Sequence, residues 1–160
     1  MTAMAEISIR RAEARDIETL KRFQQGIVVA ERPFDPTIRK GDVSYYDLGA
    51  LIASPDAFVA IAEAGGAPIG CGFARRAKSR SFIDPPEYAY VGLMFVAPER
   101  RGRGVGALIL ARLQDWARDA GLSEMHLEVY PQNAAAVRAY QKAGFQPYML
   151  EMRLPLDDGR

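Results

Sequence analysis

The chain has 160 residues, a length that suits one domain with a full hydrophobic core and requires neither disulfides nor a metal to fold. Its 21 basic and 20 acidic side chains give a formal net charge of +1, which argues against a nucleic-acid footprint and a polybasic membrane surface. With one cysteine, Cys71, and one histidine, His126, an intramolecular disulfide framework and the usual thiolate or imidazole metal sites are excluded. We therefore expect a single metal-free domain over residues 1–160.

Hydrophobic periodicity predicts alternating strands and helices. Apolar residues recur at every second position in the first and last predicted strands and at every third or fourth position in the helices. The predicted strands are Glu6–Arg10, Ala57–Ala62, Ala67–Arg75, Tyr88–Val96, Met125–Val129 and a last one in which Tyr148, Leu150, Met152 and Leu154 alternate. The predicted long helices are Asp16–Val29 and Val105–Ala120, the second with Val105, Ile109, Leu113, Trp116 and Ala120 on one face.

The connecting segments complete the predicted fold. Gly65-Gly66 between two strands predicts a hairpin, and Arg76–Pro86 is a predicted polar loop. Glu31–Leu51 mixes prolines with aromatic residues, which predicts an irregular segment with short helical turns that forms a substrate wall. This order of elements predicts an α/β fold in which a mixed, largely antiparallel central sheet carries helices on both faces.

A cationic, glycine-rich loop, Arg100–Ala107, precedes the second long helix. Its glycines allow successive backbone N–H groups to face a ligand, and the helix N-terminus adds unpaired donors, so the loop predicts a phosphate site of a nucleotide-like cofactor. It is not a P-loop, because Val105-Gly106-Ala107 supplies neither the lysine nor the hydroxyl. It is not the dinucleotide fingerprint either, because only Val105 separates Gly104 from Gly106.

Two motifs resemble those of the Gcn5-related N-acetyltransferase (GNAT) family. Arg101–Gly106 has the Arg-x-x-Gly-x-Gly pattern of that family's coenzyme A pyrophosphate loop, and Leu127–Phe145 resembles its later motif, in which a short helix carries a tyrosine. Asn133 and Tyr140 lie seven residues apart and so project from nearly one face of that helix. The resemblance extends from about Ile7 onward. The sequence departs from the family pattern after Gly144-Phe145, where it has room for one strand instead of the family's usual two-stranded hairpin. Because this leaves the far wall of the acceptor site incomplete, we expect a partner chain in a homodimer or the segment Glu31–Leu51 to complete it.

The resemblance implies acetyl-CoA as co-substrate, without a metal, and a set of cofactor contacts. The acetyl carbonyl is expected near the backbone N–H of Met94, where the strand splays from its neighbour and Gly92 eases the splay. The pantetheine arm is expected to bond with the backbone of Val96, and Asn133 is expected to contact the cofactor arm. The pyrophosphate contacts are then Arg101, Gly102, Arg103, Gly104, Val105, Gly106 and Ala107.

By the same resemblance Tyr140 is the predicted general acid, and the high pKa of tyrosine suits donation to a thiolate. Some members carry a glutamate base on the strand of Met94, but Tyr90 stands at that position here. Leu127-Glu128-Val129 resembles instead the strand of the ribosomal-protein alanine N-acetyltransferases, whose glutamate deprotonates the amine. Glu128 is therefore the predicted base, with Glu87 and Glu31 as alternatives if the cleft opens toward them.

The predicted function is acetyl transfer to a primary amine by direct attack in a ternary complex, since Cys71 has no adjacent base for an acyl-enzyme route and is expected to be a buried strand residue. A noncatalytic acyl-CoA-binding sensor is the alternative. The acceptor is a small molecule or a peptide, and its chemical character stays open. Phe34, Tyr45 and Tyr46 could enclose an apolar acceptor, whereas Asp35, Asp42 and Asp47 could attract a cationic one. No apolar signal segment and no membrane-length apolar run is found, so we expect a cytoplasmic protein without membrane partners.

Overall fold

Residues 6–157, which the computed structural model describes, form a five-stranded sheet with helices on both faces. The strands are β1 (Ile7–Arg11), β2 (Ala57–Ala64), β3 (Ala67–Lys78), β4 (Glu87–Val96) and β5 (Met125–His126). The helices are α1 (Ile17–Glu31), α2 (Leu48–Ala53), α3 (Val105–Asp119) and α4 (Ala134–Lys142), with single 3-10 turns at Ala14–Asp16 and Pro98–Arg100. Strands β1 to β4 are antiparallel neighbours in chain order, and β5 is parallel to β4. The predicted fold class is confirmed.

The turn between β2 and β3 is the predicted glycine pair. Gly65 and Gly66 have φ angles of +59° and +80°, the left-handed conformations that a two-residue hairpin requires and that glycine adopts without steric cost. Strand β3 then runs to Lys78, beyond the predicted end at Arg75. The extension is stable because the Arg76 guanidinium donates to the Glu87 carboxylate across the ladder and to the carbonyl of Ala120.

Each helical layer covers one face of the sheet. On the first face, Leu20 and Phe23 of α1 pack with the fully buried Phe73 of β3, and α2 adds Leu48. On the second face, α3 buries the predicted stripe, with Val105, Ile109 and Leu113 in the core and Trp116 and Ala120 at its margin. Because α1 and α3 lie on opposite faces, a ligand that contacts both layers has to pass an edge of the sheet.

The prediction of a last strand through Tyr148, Leu150, Met152 and Leu154 is wrong. Segment 146–157 forms no ladder with the other described residues, and these four side chains are between 73% and 84% exposed. Alternation shows which side chains share a face, but a strand also needs a neighbouring backbone to bond with. Strand β5 ends at His126, short of the predicted Val129, and the terminal segment is held by side chains instead, such as Arg153 on Asp35.

A charged cluster fixes β1 to the start of α1. The Arg10 guanidinium donates to both carboxylate oxygens of Asp16 at 2.8 Å and to Glu63 at 2.9 Å, while Asp16 also accepts from the Glu13 N–H at 2.7 Å. Asp16 is only 5% exposed. The hydrogen bonds from Arg10 hold the pKa of Asp16 below its ordinary value, even though burial acts in the opposite direction.

We expect Asp16→Asn to lower the free energy of unfolding by about 1–2 kcal/mol at pH 7. This value is the usual contribution of a hydrogen bond between charged groups, reduced because Arg10 is partly exposed to solvent. Since the folded-state pKa lies below the unfolded one, the contribution of Asp16 is complete above pH about 4 and is lost as the pH falls toward the folded-state value. Urea unfolding at pH 7 and at pH 3 measures both effects. The difference between wild type and variant should shrink at pH 3, and an undiminished difference would contradict this assignment.

Candidate active site

A bulge in β4 sets the geometry of the site. Phe73 of β3 pairs with Gly92, but Cys71, two residues earlier, pairs with Phe95, so β4 carries one extra residue in between. Leu93 takes the left-handed conformation there, with φ of +56°, which is unusual for a residue with a side chain. Gly92 serves close packing rather than backbone freedom, since a Cβ atom at this position would lie 2.7 Å from Tyr46 Oη and 2.8 Å from the Phe73 ring.

Beyond the bulge, β4 has an open edge. Its ladder with β5 contains only the pairs Ala89 with Met125 and Tyr90 with His126, and the described residues provide no β5 partner for the stretch from 91 to 96. On the other side, the Ala97 N–H bonds to the Ile69 carbonyl at 2.8 Å, so the alternation of an antiparallel ladder turns the N–H and C=O groups of Val96 away from β3. The predicted cofactor contact at Val96 therefore lies on the open side of β4, and Met94 lies within the bulge, between Gly92 and Phe95.

The glycine-rich loop joins this edge to α3. Gly102 and Gly104 have φ angles of +73° and +81°. The first intrahelical bond runs from the Leu108 N–H to the Gly104 carbonyl at 3.1 Å, so the amides of Val105, Gly106 and Ala107 have no acceptor within the helix. These three donors, at the positive end of a 15-residue helix, form a site suited to an anion.

Gly106 has no role inside the protein that requires glycine. Its φ lies outside the left-handed region, and a Cβ atom at this position would have Val96 Cγ2 as its nearest neighbour, at an ordinary contact distance of 3.9 Å. A glycine in the first turn of a helix lowers helix propensity relative to alanine. The missing side chain leaves room above the free amides, as close approach of a phosphate group needs.

Arg101 and Arg103 of the loop have different surroundings. Arg101 turns back toward β4, where its Nε donates to the Val96 carbonyl at 3.0 Å and its guanidinium lies 5.9 Å from the centre of the Phe95 ring. Arg103 is exposed. Arg101 also borders a shallow cleft of about 440 Å³ between the second half of α1 and Phe95. The Val96 carbonyl accepts this one bond from Arg101 and, with two lone pairs, can accept a second from a ligand arm.

Asn133 and Tyr140 both lie on α4. Asn133 caps the helix, with its Oδ1 accepting from the Ala136 N–H at 3.3 Å, and this leaves its Nδ2 for another acceptor. The Tyr140 ring packs edge-on against Phe145 at 6.0 Å and contacts the core cluster on the α3 face of the sheet, against which Met94 and Val96 also pack. Burial, with a smaller effect of the Glu31 charge, raises the pKa of Tyr140 to about 12, so its hydroxyl keeps its proton at neutral pH.

The three carboxylates considered as bases have different surroundings. Glu87 is bound to Arg76 at the start of β4, roughly 23 Å along the strand from Met94 at the rise of an extended chain, which places it outside the site. Glu128 is exposed after the end of β5, and its charge helps to raise the pKa of Tyr46. Glu31 is half-buried at the end of α1 and accepts from the Tyr45 hydroxyl at 2.9 Å.

The three aromatic residues predicted for the acceptor site form two contacting pairs, one of which includes Tyr130, a residue that the sequence analysis did not single out. Tyr46 lies edge-on to Tyr45 at 6.2 Å and reaches the β4 bulge at Gly92. Tyr130, which follows β5, stacks on Phe34 at 6.3 Å and donates to Asp35 at 3.0 Å. Tyr130 lies within the later motif, immediately before a proline. The sequence therefore showed that Tyr130 is near the end of a strand, but not that it contacts Phe34 and Asp35. Asp47 caps α2 and Asp42 is exposed.

The remaining reactive residues are held within the sheet. Cys71 is fully buried and its Sγ lies 3.2 Å from the Leu93 carbonyl, as expected for a structural thiol. His126 stacks on Tyr88 at 3.9 Å. Residues 6–157 contain no group of three or more His, Cys, Asp or Glu side chains arranged to hold a metal ion. None of the described helices has the length and apolar character needed to span a membrane.

Comparison with known proteins relates this geometry to a family. The sequence model of the acetyltransferase (GNAT) family matches residues 20–145. The chain is 35% identical over 94 residues to the IAA acetyltransferase of Azospirillum brasilense, covering 59% of this chain and 58% of that protein. It is 28% identical over 155 residues to the N-alpha-acetyltransferase RimI of Mycobacterium tuberculosis, covering 96% and 87%.

A solved structure of an aminoglycoside N-acetyltransferase in complex with CoA has the same fold, with a TM-score of 0.75 at 20% identity over 97% of both chains. Several curated relatives are matched over only 24% to 60% of their own length.

Proposed function

The chain belongs to the acetyltransferase (GNAT) family, and we propose that it transfers the acetyl group of acetyl-CoA to a primary amine by direct attack in a ternary complex. One observation carries the proposal: the open edge of β4 leads through the glycine-rich loop to the free amides at the start of α3, and Met94, Val96 and Tyr140 all pack against the same core cluster. These features meet three needs of the reaction, namely an anion site, a backbone partner for an extended arm and a proton donor.

We assign the cofactor contacts to the residues that the fold leaves free. The amides of residues 102–107, with Arg101 and Arg103, would hold the pyrophosphate, and the backbone of Val96 would bond with the pantetheine arm. Asn133 would use its Nδ2, because its Oδ1 caps α4. The absent Cβ of Gly106 fits this assignment, since no neighbour within the chain fills that space.

The chemistry then falls to a small number of groups. Bound acetyl-CoA supplies a thioester carbonyl that an amine attacks, forming the C–N bond and breaking the C–S bond. The Met94 N–H would stabilise negative charge on the carbonyl oxygen. Tyr140 would protonate the departing sulfur and recover a proton from the new amide nitrogen through water. A carboxylate, Glu128 or Glu31, would accept the proton that frees the amine lone pair.

Gly106→Ala tests the cofactor site. We expect the affinity for CoA to fall about tenfold, a loss of about 1.4 kcal/mol, because the methyl group occupies the space above the free amides. The free energy of unfolding should stay equal or rise by up to about 1 kcal/mol, since alanine favours a helix. Calorimetric titration with CoA and thermal unfolding measure the two effects separately.

Gly49→Ala is the matched control for this test. Gly49 lies in α2, its φ is not left-handed, and a Cβ atom there would meet only Asp47 Oδ1, at 3.7 Å. The control should change stability in the same direction and leave CoA affinity alone. Equal CoA affinity of Gly106→Ala and wild type would place the pyrophosphate elsewhere, and wild-type protein that binds no CoA at millimolar concentration would overturn the cofactor proposal.

Thiol release across a panel of primary amines tests the transfer itself. We expect release that depends on both acetyl-CoA and an amine. Stoichiometric acetyl-CoA binding without thiol release on any amine would contradict an enzymatic role and indicate an acyl-CoA sensor.

A further inference from the structure

We propose that the acceptor is a cationic alkyl amine, and that Glu31 both binds its ammonium group and takes the proton that precedes attack. This inference rests on the proposed acetyl transfer and specifies the class of its acceptor. Glu31 replaces Glu128 as the base in this assignment.

The position of Glu31 follows from how α1 meets β4. The helix packs on the strand beyond the bulge through Phe23, whose ring stacks on Phe95 at 4.8 Å. Glu31 is the last residue of this helix, and its Oε2 accepts from the Tyr45 hydroxyl at 2.9 Å. This contact fixes the carboxylate and leaves its other oxygen for a ligand. Ala30, the residue before Glu31, lines the cleft of about 440 Å³ that Phe95 and Arg101 also line, so this end of α1 borders the open edge of β4.

The walls around Glu31 suit a cation. Tyr45 and Tyr46 form an edge-on pair on one side, and Tyr130 with Phe34 forms a stacked pair on another. The Glu31 carboxylate accepts from the Tyr45 hydroxyl at 2.9 Å, and its charge adds to the effect of burial in raising the pKa of Tyr46 and of Tyr130. Aromatic faces and one carboxylate together bind an ammonium ion more favourably than either does alone.

The other charges near Glu31 already have partners. Asp35 accepts from Thr37, Tyr130 and Arg153, which hold its pKa below the usual range. Arg32 donates to the carbonyl of Arg39 at 2.7 Å. The ion pairs found among residues 6–157 include none to Glu31. Glu31 is therefore the carboxylate of this group that remains available to an incoming cation.

The surroundings of Glu31 also favour proton transfer. Burial raises its pKa above the ordinary value, the Tyr45 hydrogen bond opposes that shift, and the Asp35 charge adds to it. A carboxylate with a raised pKa is a stronger base toward an alkylammonium ion. Glu31 would take one proton from the ammonium group and pass it to solvent, leaving the nitrogen lone pair free to form the C–N bond. Glu128 is exposed, whereas Glu31 is half-buried.

The test compares kcat/KM across pH for wild type, Glu31→Gln, Tyr45→Phe and Glu128→Gln, with phenethylamine as a cationic acceptor and aniline as an acceptor that is neutral at pH 7. For phenethylamine we expect Glu31→Gln to lower kcat/KM about 100-fold and to abolish the acidic limb of the profile. Tyr45→Phe should move that limb to higher pH, because a hydrogen bond that lowers the Glu31 pKa is removed. Any wild-type activity toward aniline should change little in Glu31→Gln.

Glu18→Gln, on the exposed side of the same helix, is the matched control and should leave the profile unchanged. CoA affinity and thermal unfolding show whether each variant is folded and loaded. An unchanged profile in Glu31→Gln, or an acidic limb lost only in Glu128→Gln, would overturn the assignment while leaving acetyl transfer intact. Wild-type protein that acetylates neither amine nor any other amine of the panel would overturn both, and wild-type protein that acetylates aniline alone would overturn only the cationic class.

Discussion

Replacing Tyr140 with phenylalanine is expected to lower kcat about 100-fold or more, the usual contribution of a general acid, with CoA affinity nearly unchanged. The ring itself should stay in place, because it packs against Phe145 and the core cluster through carbon atoms that phenylalanine keeps. The hydroxyl makes no side-chain hydrogen bond to another residue among 6–157, so its removal leaves no unpaired partner in this part of the protein. The loss therefore falls on turnover rather than on stability.

Steady-state thiol release and calorimetric titration with CoA measure the two quantities. Tyr148→Phe is the matched control, because Tyr148 is 74% exposed on the terminal segment, and we expect no change in kcat. Because the pKa of Tyr140 is about 12, its protonation should not limit kcat between pH 6 and pH 10. A Tyr140→Phe variant with wild-type kcat would remove this residue from the acid role.

The elements that the sequence predicted are those with a local cause. Side-chain periodicity decides which residues share a face, so β1, α1 and α3 were predicted near their observed positions. The turn at Gly65 and Gly66 depends on two φ angles that only these residues and their neighbours determine.

The features that escaped prediction depend on pairing between distant segments. The extra residue in β4 is visible only when β4 is aligned with β3, and its left-handed residue is Leu93 rather than the neighbouring Gly92. The last predicted strand failed for the same reason: segment 146–157 has the right alternation but forms no ladder with a strand of the sheet. Local patterns contain no information on whether such an edge is available.

The same distinction applies to the candidate site. The loop from Arg101 to Ala107 is continuous in sequence and joins a strand to a helix, so its form followed from the residues alone. The choice among Glu128, Glu87 and Glu31 did not, because it depends on Tyr45 reaching back across 14 residues to Glu31 and on Arg76 binding Glu87. A base is defined by its surroundings, and these come from the tertiary fold.

Phe73→Ala is expected to lower the free energy of unfolding by about 3–5 kcal/mol, as for other fully buried aromatic residues. Phe73 lies at the centre of the first face of the sheet, 4.8 Å from the ring centre of Tyr46 and 6.1 Å from that of Tyr90. Its ring also occupies the space that the missing side chain of Gly92 leaves at the bulge. Urea unfolding measures the loss, and Phe82→Ala, at a loop position that is 76% exposed, should change stability by less than about 0.5 kcal/mol.

The effect of Phe73 on function should follow the same contacts. Removal of its ring takes away the support of Tyr46, which we propose as part of the acceptor wall, but should leave the loop before α3 untouched. In the milder variant Phe73→Leu, which keeps most of the buried volume, we expect the KM for an amine to rise while the affinity for CoA holds. Equal losses of both would mean that the two sites share one support in the core, whereas a separate loss on the amine side would show that Phe73 supports the acceptor side and not the cofactor site.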